Sequence, residues 1–513
     1  MKNKIFIYCM IACMSLMIAT GCSSSDPSES KSQETVEKTP VEGGNVVMMI
    51  EQDMDSLDPH IAASAGTKEV VFNIFEGLVK PDEKGELYPA VAERYEISDD
   101  GRTYTFTLRK GIKFHNGDAV TVEDITYSLD RVMGLTTGKP LQSGFEKVEK
   151  IETADDKTII IKLKELDASL LTNLTVAILP KKNEGHFKDQ PIGTGPFEFV
   201  SYAPEQNIII KKYKDYWKKG IPHVDEVEFR IIPDREAALL SFRAGEIDIF
   251  PRLPNDRVEE LGGQFTTVNG EQNMVQLMAM NNKRKPFDDI RVRKAMNYAV
   301  DVDEVINAVA FGYGAKLGSN MSPVMAKYHQ EGLESVYDVN IEKAKGLLKE
   351  AGYENGFKTK IAIPSNYPFH VDTGQVIVEQ LKKVGIDAQI ELVEWGVWLE
   401  RVYNNRDYDM TILSLTGKLD PYNILVRYQS DYSKNFMNYN NKEYDEIIKT
   451  AIKTNDDKKR VLLYKEAQKK LTEDAAAVYI MDPQFTVAMN KNISGYKMYP
   501  IYIQDMSSIY YTK

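Results

Sequence analysis

Cysteine is nearly absent from this chain of 513 residues. The three cysteines are Cys9, Cys13 and Cys22, so no thiol follows residue 22. Thiol catalysis and disulfide crosslinks are therefore excluded for the body of the protein. A body without free thiols suits an oxidising compartment, which favours a location outside the cytoplasm.

Catalytic and metal-binding motifs are also missing from the sequence. No two of the six histidines lie at the spacing of a metal-ligand pair. The sequence contains neither a Gly-x-Ser-x-Gly motif nor a Walker-type phosphate loop. The segment Pro191–Pro196 has the glycines of a phosphate loop, but its terminal prolines and its lack of lysine indicate a structural turn. We therefore predict a protein that is not an enzyme and that uses no cofactor and no metal.

Positive charge is in deficit. The chain has 64 lysine and arginine residues against 76 aspartate and glutamate residues, a formal net charge of −12 at pH 7. Such an acidic protein is a poor electrostatic partner for nucleic acid or for an anionic membrane surface. The sequence therefore predicts no nucleic-acid partner. At 42% hydrophobic and 27% charged residues, the composition is typical of a globular protein.

One long apolar run is present near the N-terminus, from Ile5 to Ala19. It follows Lys2 and Lys4, and at about 15 residues it is shorter than the roughly 20 that a helix needs to span a bilayer. Two lysines before a short apolar core are typical of an export signal. We therefore predict a signal peptide over residues 1–21 rather than a permanent membrane span.

The end of this run, Ala19 to Cys22, resembles a bacterial lipobox. In such a sequence the signal is removed and the cysteine, here Cys22, becomes a lipidated N-terminus. The following stretch is too polar to pack a core, which predicts a flexible tether over residues 22–44. Ordinary secretion, with Cys22 as a spectator, is the alternative. We therefore expect an extracytoplasmic protein that is anchored to the cell membrane as a lipoprotein.

Strand and helix patterns alternate in the second half of the chain. Apolar strand patterns at Lys360–Ile363 and Tyr408–Leu415 flank a helix pattern at Thr373–Val384. This alternation predicts βαβ units in a mostly parallel sheet, and therefore an α/β fold. Earlier in the chain, the alternating pattern of Thr103–Leu108 and several turn signals predict a β-rich subdomain over residues 73–190.

Ligands of parallel α/β sheets bind beyond the carboxyl ends of the strands. Two predicted loops lie there, one over residues 364–369 and one over residues 416–422. Both combine polar groups, aromatic rings and backbone-shaping glycine or proline, which is the make-up of a small-ligand site. We therefore predict a ligand site that includes these loop residues: Asn366, Tyr367, Phe369, Thr416, Gly417, Lys418, Asp420 and Tyr422.

Three further residues are candidates for this site. Trp395 and Trp398 directly follow a predicted strand, where each ring either contacts a ligand or packs against its own domain. Arg427 follows the Asp420–Pro421 pair, where its guanidinium can hold a ligand carboxylate through two hydrogen bonds. A surface ion pair is the alternative for Arg427, and Lys418 is open to the same two roles.

Four separated segments carry a resemblance to a known family: Ile97–Gly111 with Phe114, Pro191–Phe197, Arg291–Ala299 and Lys349–Tyr353. They resemble, in order, the extracytoplasmic solute-binding proteins of peptide and nickel ABC importers (bacterial solute-binding protein family 5, dipeptide/oligopeptide-binding type). The resemblance implies an α/β, two-lobe periplasmic-binding-protein (type II) fold with an extra β-rich subdomain. It also implies that a ligand is enclosed between the lobes and delivered, chemically unchanged, to a membrane permease.

The resemblance also implies how the chain is divided. Lobe 1 is expected to comprise residues 45–72, 191–279 and 482–513, and lobe 2 residues 280–481. The extra subdomain is expected to match residues 73–190. We expect the protein to act as a monomer, attached to the membrane through its N-terminal lipid.

The residues that set ligand specificity depart from the family pattern. Dipeptide and oligopeptide binders of this family usually carry a Gly-Trp pair and an acidic residue before an Asp-Pro pair. This chain has Leu415 and Lys418 at the matching positions. The arginine that dipeptide binders use for the ligand carboxylate is missing from the loop Asn366–Phe369. Arg427 or Lys418 can substitute for it, with the polarity of the ligand altered or reversed.

We therefore expect a binding protein for small peptides or peptide-like solutes. The alternative is a nickel or other metal chelate, an opine or an oligosaccharide on the same fold, although no histidine is a convincing nickel ligand. Stacked rings of Trp395 and Trp398 would favour a sugar, and a cleft ringed by Arg427 and Lys418 would favour a chelate with several carboxylates. A surface hydrolase or adhesin is a third hypothesis, from a different class of protein.

Overall fold

A twelve-stranded mixed sheet runs through the computed structural model, which describes residues 39–135 and 137–513. The predicted signal peptide, Cys22 and most of the predicted tether lie outside these described residues. The strands, in chain order, are β1 (Pro40–Val41), β2 (Asn45–Ile50), β3 (Val79–Pro81), β4 (Leu87–Pro89), β5 (Ala92–Ile97), β6 (Thr103–Leu108), β7 (Val148–Thr153), β8 (Thr158–Leu163), β9 (Phe197–Ala203), β10 (Asn207–Lys212), β11 (Glu226–Ile231), β12 (Ile249–Leu253), β13 (Phe265–Glu271), β14 (Met274–Met280), β15 (Gly314–Lys316), β16 (Phe357–Pro364), β17 (Ile386–Val393), β18 (Met410–Thr416), β19 (Ala477–Asn490), β20 (Ile493–Ser494) and β21 (Tyr510–Thr512).

Thirteen α-helices accompany the strands in the described part of the chain. They are α1 (Ala65–Val71), α2 (Val122–Met133), α3 (Leu170–Asn173), α4 (Arg235–Arg243), α5 (Val258–Leu261), α6 (Ile290–Ala299), α7 (Val302–Ala310), α8 (Ile341–Glu350), α9 (Pro368–Lys382), α10 (Trp395–Trp398), α11 (Tyr422–Leu425), α12 (Lys442–Ile452) and α13 (Asp457–Glu473). Helix α10 continues into a π-helical segment, Leu399–Asn404. Among these helices of the described chain, none has both the length and the apolar character that a membrane crossing requires.

The large sheet has the strand order β17-β16-β18-β14-β19-β12-β2-β11-β10-β9, with β13 and β15 also paired to β19. Strand β16 is parallel to β17 and β18, and β2 is parallel to β11 and β12. All strands that pair with β14 or β19 are antiparallel to them. The prediction of a mostly parallel sheet is therefore wrong for the sheet as a whole, although it is confirmed for the segment from β16 to β18. Pairing between distant strands such as β14 and β19 leaves no local pattern in the sequence.

Strand β19 joins two groups of strands. Its residues Ala477–Met481 pair with β14, and its residues Gln484–Asn490 pair with β13. Pro483 lies between these two pairings and is opposite Gly314 of β15. The large sheet is therefore continuous from one group to the other through a single strand of 14 residues.

Strands β5, β6, β8 and β7 form a separate antiparallel sheet. In β6 the side chains of Tyr104, Phe106 and Leu108 are buried and the alternate threonines are half-buried, which confirms the predicted strand. Helix α2 packs nearby and begins with a capping box, in which the side chains of Thr121 and Asp124 each accept the other's backbone N–H. This β-rich region has its own apolar core within residues 78–178.

Other buried apolar side chains cluster on the two sides of β19. Two clusters are built within residues 275–481, around β14, β16 and β18. Two more combine strands that precede residue 273 with the end of β19 and the chain that follows it. The residue boundaries of the two predicted lobes stay a prediction, because residues 39–513 form one unit by their contacts.

The segment Pro191–Pro196 is a structural turn, as its prolines indicated. The backbone N–H of Gly195 donates to the carbonyl of Ile74 at 2.9 Å. A Cβ atom added at Gly193 would lie only 2.0 Å from the same carbonyl oxygen, so a larger residue could not pack there. The glycines therefore serve close contact between two backbone segments.

The end of the predicted tether is not free in the structure. Pro40 and Val41 form β1, which pairs with β21 near the end of the chain. One carboxylate oxygen of Glu42 lies 2.7 Å from Nδ1 of His223, and the other accepts a hydrogen bond from Lys212. The polar composition did not reveal this pairing, because its partner strand is distant in the sequence.

Candidate ligand-binding site

A cavity of about 980 Å³ lies beyond the carboxyl ends of β16, β17 and β18. This is the position that the sequence predicted for the ligand site, and the volume is within the range of small-ligand sites. We call it the aromatic cavity, because its wall includes the rings of Tyr367, Phe369, Trp395, Trp398, Tyr403 and Phe485.

The loop after β16 is shorter than predicted. Helix α9 begins at Pro368 instead of Thr373, with Tyr367 as its N-cap residue. Proline is well suited to the first helical position, because the N–H that it lacks would have no partner within the helix there. Asn366, Tyr367 and Phe369 nevertheless all line the aromatic cavity.

Trp395 and Trp398 stack on each other but differ in exposure. Their ring centroids are 5.2 Å apart and their planes differ by 6°. Trp398 is 2% exposed and donates its indole N–H to Oγ1 of Thr411 at 3.0 Å, whereas Trp395 is 37% exposed. The carboxylate of Glu394 accepts the backbone N–H of Val397 and caps this short helix. Trp398 therefore anchors the pair in the core, and the exposed ring of Trp395 forms part of the cavity wall.

A second cavity, of about 570 Å³, adjoins the first. We call it the basic cavity, and its wall includes Lys68, Lys80, Thr416, Gly417, Lys418 and Asp420. Gln272, Thr416 and Tyr502 line both cavities. The predicted loop after β18 therefore lies at the junction of two adjoining spaces of different chemical character.

The conformation of this loop is fixed by Asn273. The backbone N–H of Gly417 donates to the carbonyl of Asn273 at 2.6 Å, and the side chain of Asn273 donates to the carbonyl of Pro500 at 3.0 Å. A Cβ atom at Gly417 would lie 2.1 Å from Oδ1 of Asn273. Only glycine therefore allows this close approach, which orients the adjacent Lys418.

Both acidic residues of the basic cavity already have partners. The carboxylate of Glu76 accepts hydrogen bonds from Tyr216 at 2.8 Å and Trp217 at 2.9 Å, and lies 3.6 Å from Nζ of Lys80. The carboxylate of Asp420 accepts the backbone N–H of Tyr422 at 2.8 Å. Burial raises the pKa of Asp420 to about 6. Both carboxyl groups are therefore held by hydrogen bonds within the protein.

Lys68 and Lys418 differ from these paired groups. Both are exposed, and neither has an ion-pair partner among the residues that the structure describes. Burial lowers the pKa of Lys418, and the positive charges of Arg427 and Lys68 lower it further. The basic cavity therefore carries positive charge that the protein itself leaves uncompensated.

Arg427 and Tyr422 line neither cavity, in contrast to the other predicted site residues. The guanidinium of Arg427 lies behind the loop and donates through Nη2 to the carbonyl of Thr416 at 3.1 Å. Its Nη1 atom is buried without a hydrogen-bond partner in the described part of the chain. Arg427 therefore supports the junction of the cavities and adds positive charge to it.

Several residues of the cavity walls have no recognisable signal in the sequence. Arg252 of β12 has a left-handed backbone, with φ of 54°, and its guanidinium pairs with the carboxylate of Glu69. The same group lies 5.5 Å from the ring centroids of both Phe485 and Tyr502. These residues come from distant segments of the chain, and only the fold brings them together.

His370 of α9 lines the aromatic cavity as an uncharged ring. Burial lowers its pKa to about 4, and its Nδ1 lies 3.1 Å from the amide nitrogen of Gln276. Within residues 39–135 and 137–513, no group of three or more His, Cys, Asp or Glu side chains is arranged to hold a metal ion.

Comparison with known proteins assigns the chain to a family. The sequence model described as "Bacterial extracellular solute-binding proteins, family 5 Middle" matches residues 86–436. The glutathione-binding protein GsiB of Pectobacterium atrosepticum is 28% identical over 488 residues, which cover 89% of this chain and 92% of that protein. The dipeptide-binding protein of Escherichia coli K12 is 30% identical over 457 residues, covering 81% and 84%.

A solved structure of similar length shows the same fold. It is the periplasmic binding protein DppA of Helicobacter pylori in complex with the peptide STSA, at 28% identity and a TM-score of 0.73. The match covers 92% of this chain and 99% of that protein. The expected α/β periplasmic-binding-protein fold is thereby confirmed. The chain belongs to family 5 of the bacterial extracytoplasmic solute-binding proteins of ABC importers, which bind solutes for transport and are not enzymes.

Proposed function

We propose that this protein captures small peptides or peptide-like solutes in the aromatic and basic cavities and delivers them to the permease of an ABC importer. The observation that carries the proposal is the pair of adjoining cavities beyond the carboxyl ends of β16, β17 and β18. The names of its relatives, which bind glutathione, dipeptides or a peptide, support a ligand of this class.

The proposed ligand residues act in two groups. Around the aromatic cavity, the exposed ring of Trp395 and the side chains of Asn366, Tyr367 and Phe369 would contact the ligand, while Trp398 holds Trp395 in position. Around the basic cavity, Lys418 would contact the ligand directly. Ring faces and mixed polar groups accept peptides of varied sequence, because apolar side chains and backbone amides both find partners there.

Delivery requires that the ligand shift the protein between two states. We propose that the lobes predicted from the sequence, residues 280–481 on one side and the rest of the body on the other, close on the ligand. A ligand that contacts both sides has higher affinity for the closed state and therefore shifts the population toward it. The permease would recognise this closed state.

The N-terminal sequence completes the proposed function. Cleavage before Cys22 and lipidation of its thiol would anchor the protein, as a monomer, to the outer face of the cytoplasmic membrane, with residues 22–38 as the link to the folded body. A Cys22→Ala variant should then be recovered in the soluble extracytoplasmic fraction instead of the membrane fraction. Retention of this variant in membranes would contradict lipid anchoring through Cys22.

Native mass spectrometry of the freshly purified protein tests the proposed ligand class. We expect additional mass that is released on denaturation and that fragments as peptide. The stripped protein should bind a randomised tetrapeptide library, with retained peptides identified by tandem mass spectrometry. A protein that carries no peptide and retains none from the library would contradict the proposal.

An oligosaccharide is the second candidate ligand, and the exposed ring of Trp395 favours it. Only one ring of the stacked pair is accessible, however, since Trp398 is buried. Released mass that fragments as sugar would identify this alternative in the same measurement.

A further inference from the structure

We infer that the site holds its ligand by an anionic end, the terminal carboxylate of a peptide, seated in the basic cavity against Lys68 and Lys418, and that it recognises no free amino group. This inference rests on the proposed function and names the chemical class of its ligand. The expected orientation places the carboxylate in the basic cavity and the rest of the peptide in the aromatic cavity.

Two lysines without ion-pair partners in the described chain indicate that the basic cavity attracts an anion. Lys80, on the same wall, is paired with Glu76, whereas Lys68 and Lys418 have no carboxylate partner in the described chain. Each is near enough to the other for their positive charges to interact. Like charges that face a shared space are unfavourable when it is empty, and an anion that enters the space relieves the repulsion.

The buried guanidinium of Arg427 adds to this positive potential. Its Nη1 has no hydrogen-bond partner in the described residues, and its charge also acts on Lys418. A charge at the edge of a low-dielectric region is screened less than a charge in open water. Arg427 therefore strengthens the attraction of the cavity for an anion without touching it.

The positions of the carboxylates indicate that the site does not bind a ligand ammonium group. Among the residues that the structure describes, no aspartate or glutamate lines the aromatic cavity. The basic cavity has two acids, Glu76 and Asp420, and both already accept hydrogen bonds from the protein. Glu76 is paired with Lys80, and the side chain of Asp420 is buried, so among the described residues neither cavity presents an accessible, unpaired carboxylate to a ligand ammonium group. Aromatic rings can attract a cation, but more weakly than a buried ion pair does.

The order of the lining residues along the loop after β18 supports the orientation. Thr416 lines both cavities, and Gly417 and Lys418 continue directly into the basic one. A peptide that passes this junction can place its last residue beside Lys418 while its earlier side chains contact the aromatic rings.

The test uses one tetrapeptide library in three chemical forms: free at both ends, acetylated at the amino end, and amidated at the carboxyl end. Purified protein is stripped of bound solute by unfolding and refolding, and retained peptides are then quantified by mass spectrometry. We expect acetylation to change the affinity by less than about threefold and amidation to weaken it by at least about tenfold, as the loss of a charge-assisted contact implies.

Single substitutions test whether Lys68 and Lys418 bind the terminal carboxylate. Lys418→Gln and Lys68→Gln should each weaken the free-acid form by about tenfold and leave the amidated form unchanged. Lys110→Gln is the matched control, because Lys110 is exposed and lies outside both cavities, so its affinities should equal those of the parent protein. A thermal melt of each variant confirms that the fold is intact.

The outcomes separate this inference from the proposed function. Equal affinities for the acid and amidated forms, or a loss of about tenfold on acetylation, would overturn the inference while leaving peptide binding intact. Retention of no form would overturn the proposed function together with the inference. Selective loss on amidation that Lys418→Gln abolishes would support both.

Discussion

The aromatic cavity and the basic cavity meet at shared residues but differ in how their charges are arranged. In the aromatic cavity the guanidinium groups of Arg235 and Arg252 are both paired with glutamates of the protein. In the basic cavity Lys68 and Lys418 have no such partners within the described chain. Paired charges are already neutralised by the protein, whereas unpaired charges are stabilised when a ligand of opposite charge binds. The aromatic cavity therefore selects a ligand by shape, and the basic cavity selects it by charge.

The largest expected effect comes from removing the buried support of the aromatic cavity. Trp398→Ala deletes a side chain that is 2% exposed and leaves a void under Trp395. We expect the free energy of unfolding to fall by about 3–5 kcal/mol, as for other buried large-to-small changes. Urea denaturation followed by circular dichroism measures it. A loss below about 1 kcal/mol would contradict an anchoring role for Trp398.

An intermediate effect is expected where the two cavities meet. Asp482 is fully buried, and its Oδ1 accepts the backbone N–H of Gln272, a residue that lines both cavities, at 3.1 Å. Burial raises the pKa of Asp482 to about 7. Below the ordinary pKa of an aspartate, Asp482 is protonated in both the folded and the unfolded protein, so its carboxyl group does not lower the free energy of unfolding. As pH rises toward 7 the group ionises in the unfolded protein but not in the folded one, and the free energy of unfolding falls. Above pH 7 this loss of stability is constant.

Asp482→Asn should therefore stabilise the protein at pH 8 relative to its effect at pH 4. Each unit of pKa shift corresponds to about 1.4 kcal/mol, so the relative gain in the free energy of unfolding should be about 2–4 kcal/mol. Denaturant titrations of both proteins at the two pH values measure this difference. If the free energy of unfolding depends on pH in the same way in both proteins, ionisation of the buried Asp482 does not destabilise the fold.

The smallest effect on stability is expected at the exposed ring of the aromatic cavity. Trp395→Ala should weaken the binding of retained peptides by roughly tenfold, because the ring supplies a stacking surface worth about 1 kcal/mol or more. The free energy of unfolding should change by less than about 1 kcal/mol, since the ring is partly in water. Val397→Ala is the matched control, because Val397 is 52% exposed and lies outside the aromatic cavity. Unchanged peptide affinity in Trp395→Ala would assign Trp395 to packing alone.

Local patterns predicted the elements that build the aromatic cavity. The strands β16 and β18 and the position of the loops after them follow from hydrophobic periodicity. Helix α9 begins at Pro368 and ends at Lys382, whereas the sequence pattern predicts Thr373–Val384. The directions of strands paired with β14 and β19 could not be predicted in this way. Their hydrogen bonds join residues that are far apart in the chain, and neither strand carries a local sign of its partner.

The basic cavity was predicted only in part. The loop from Thr416 to Asp420 was identified by its composition, but Lys68 was not, since a lysine on a short helix is ordinary in sequence. Arg427 was identified for a direct contact, whereas its guanidinium lies behind the loop. The charge of a residue can be read from sequence, but whether that charge is paired depends on the fold.

The sharing of β19 has a consequence for the integrity of the whole molecule. Because residues Ala477–Met481 of this strand pair with β14 and residues Gln484–Asn490 pair with β13, a cut near Pro483 would expose unpaired backbone on both resulting pieces. Neither piece would keep a finished sheet, so the long N-terminal piece and the short C-terminal piece, expressed separately, would associate with each other or aggregate. The body would consequently tolerate fusion at its surface far better than division at this strand.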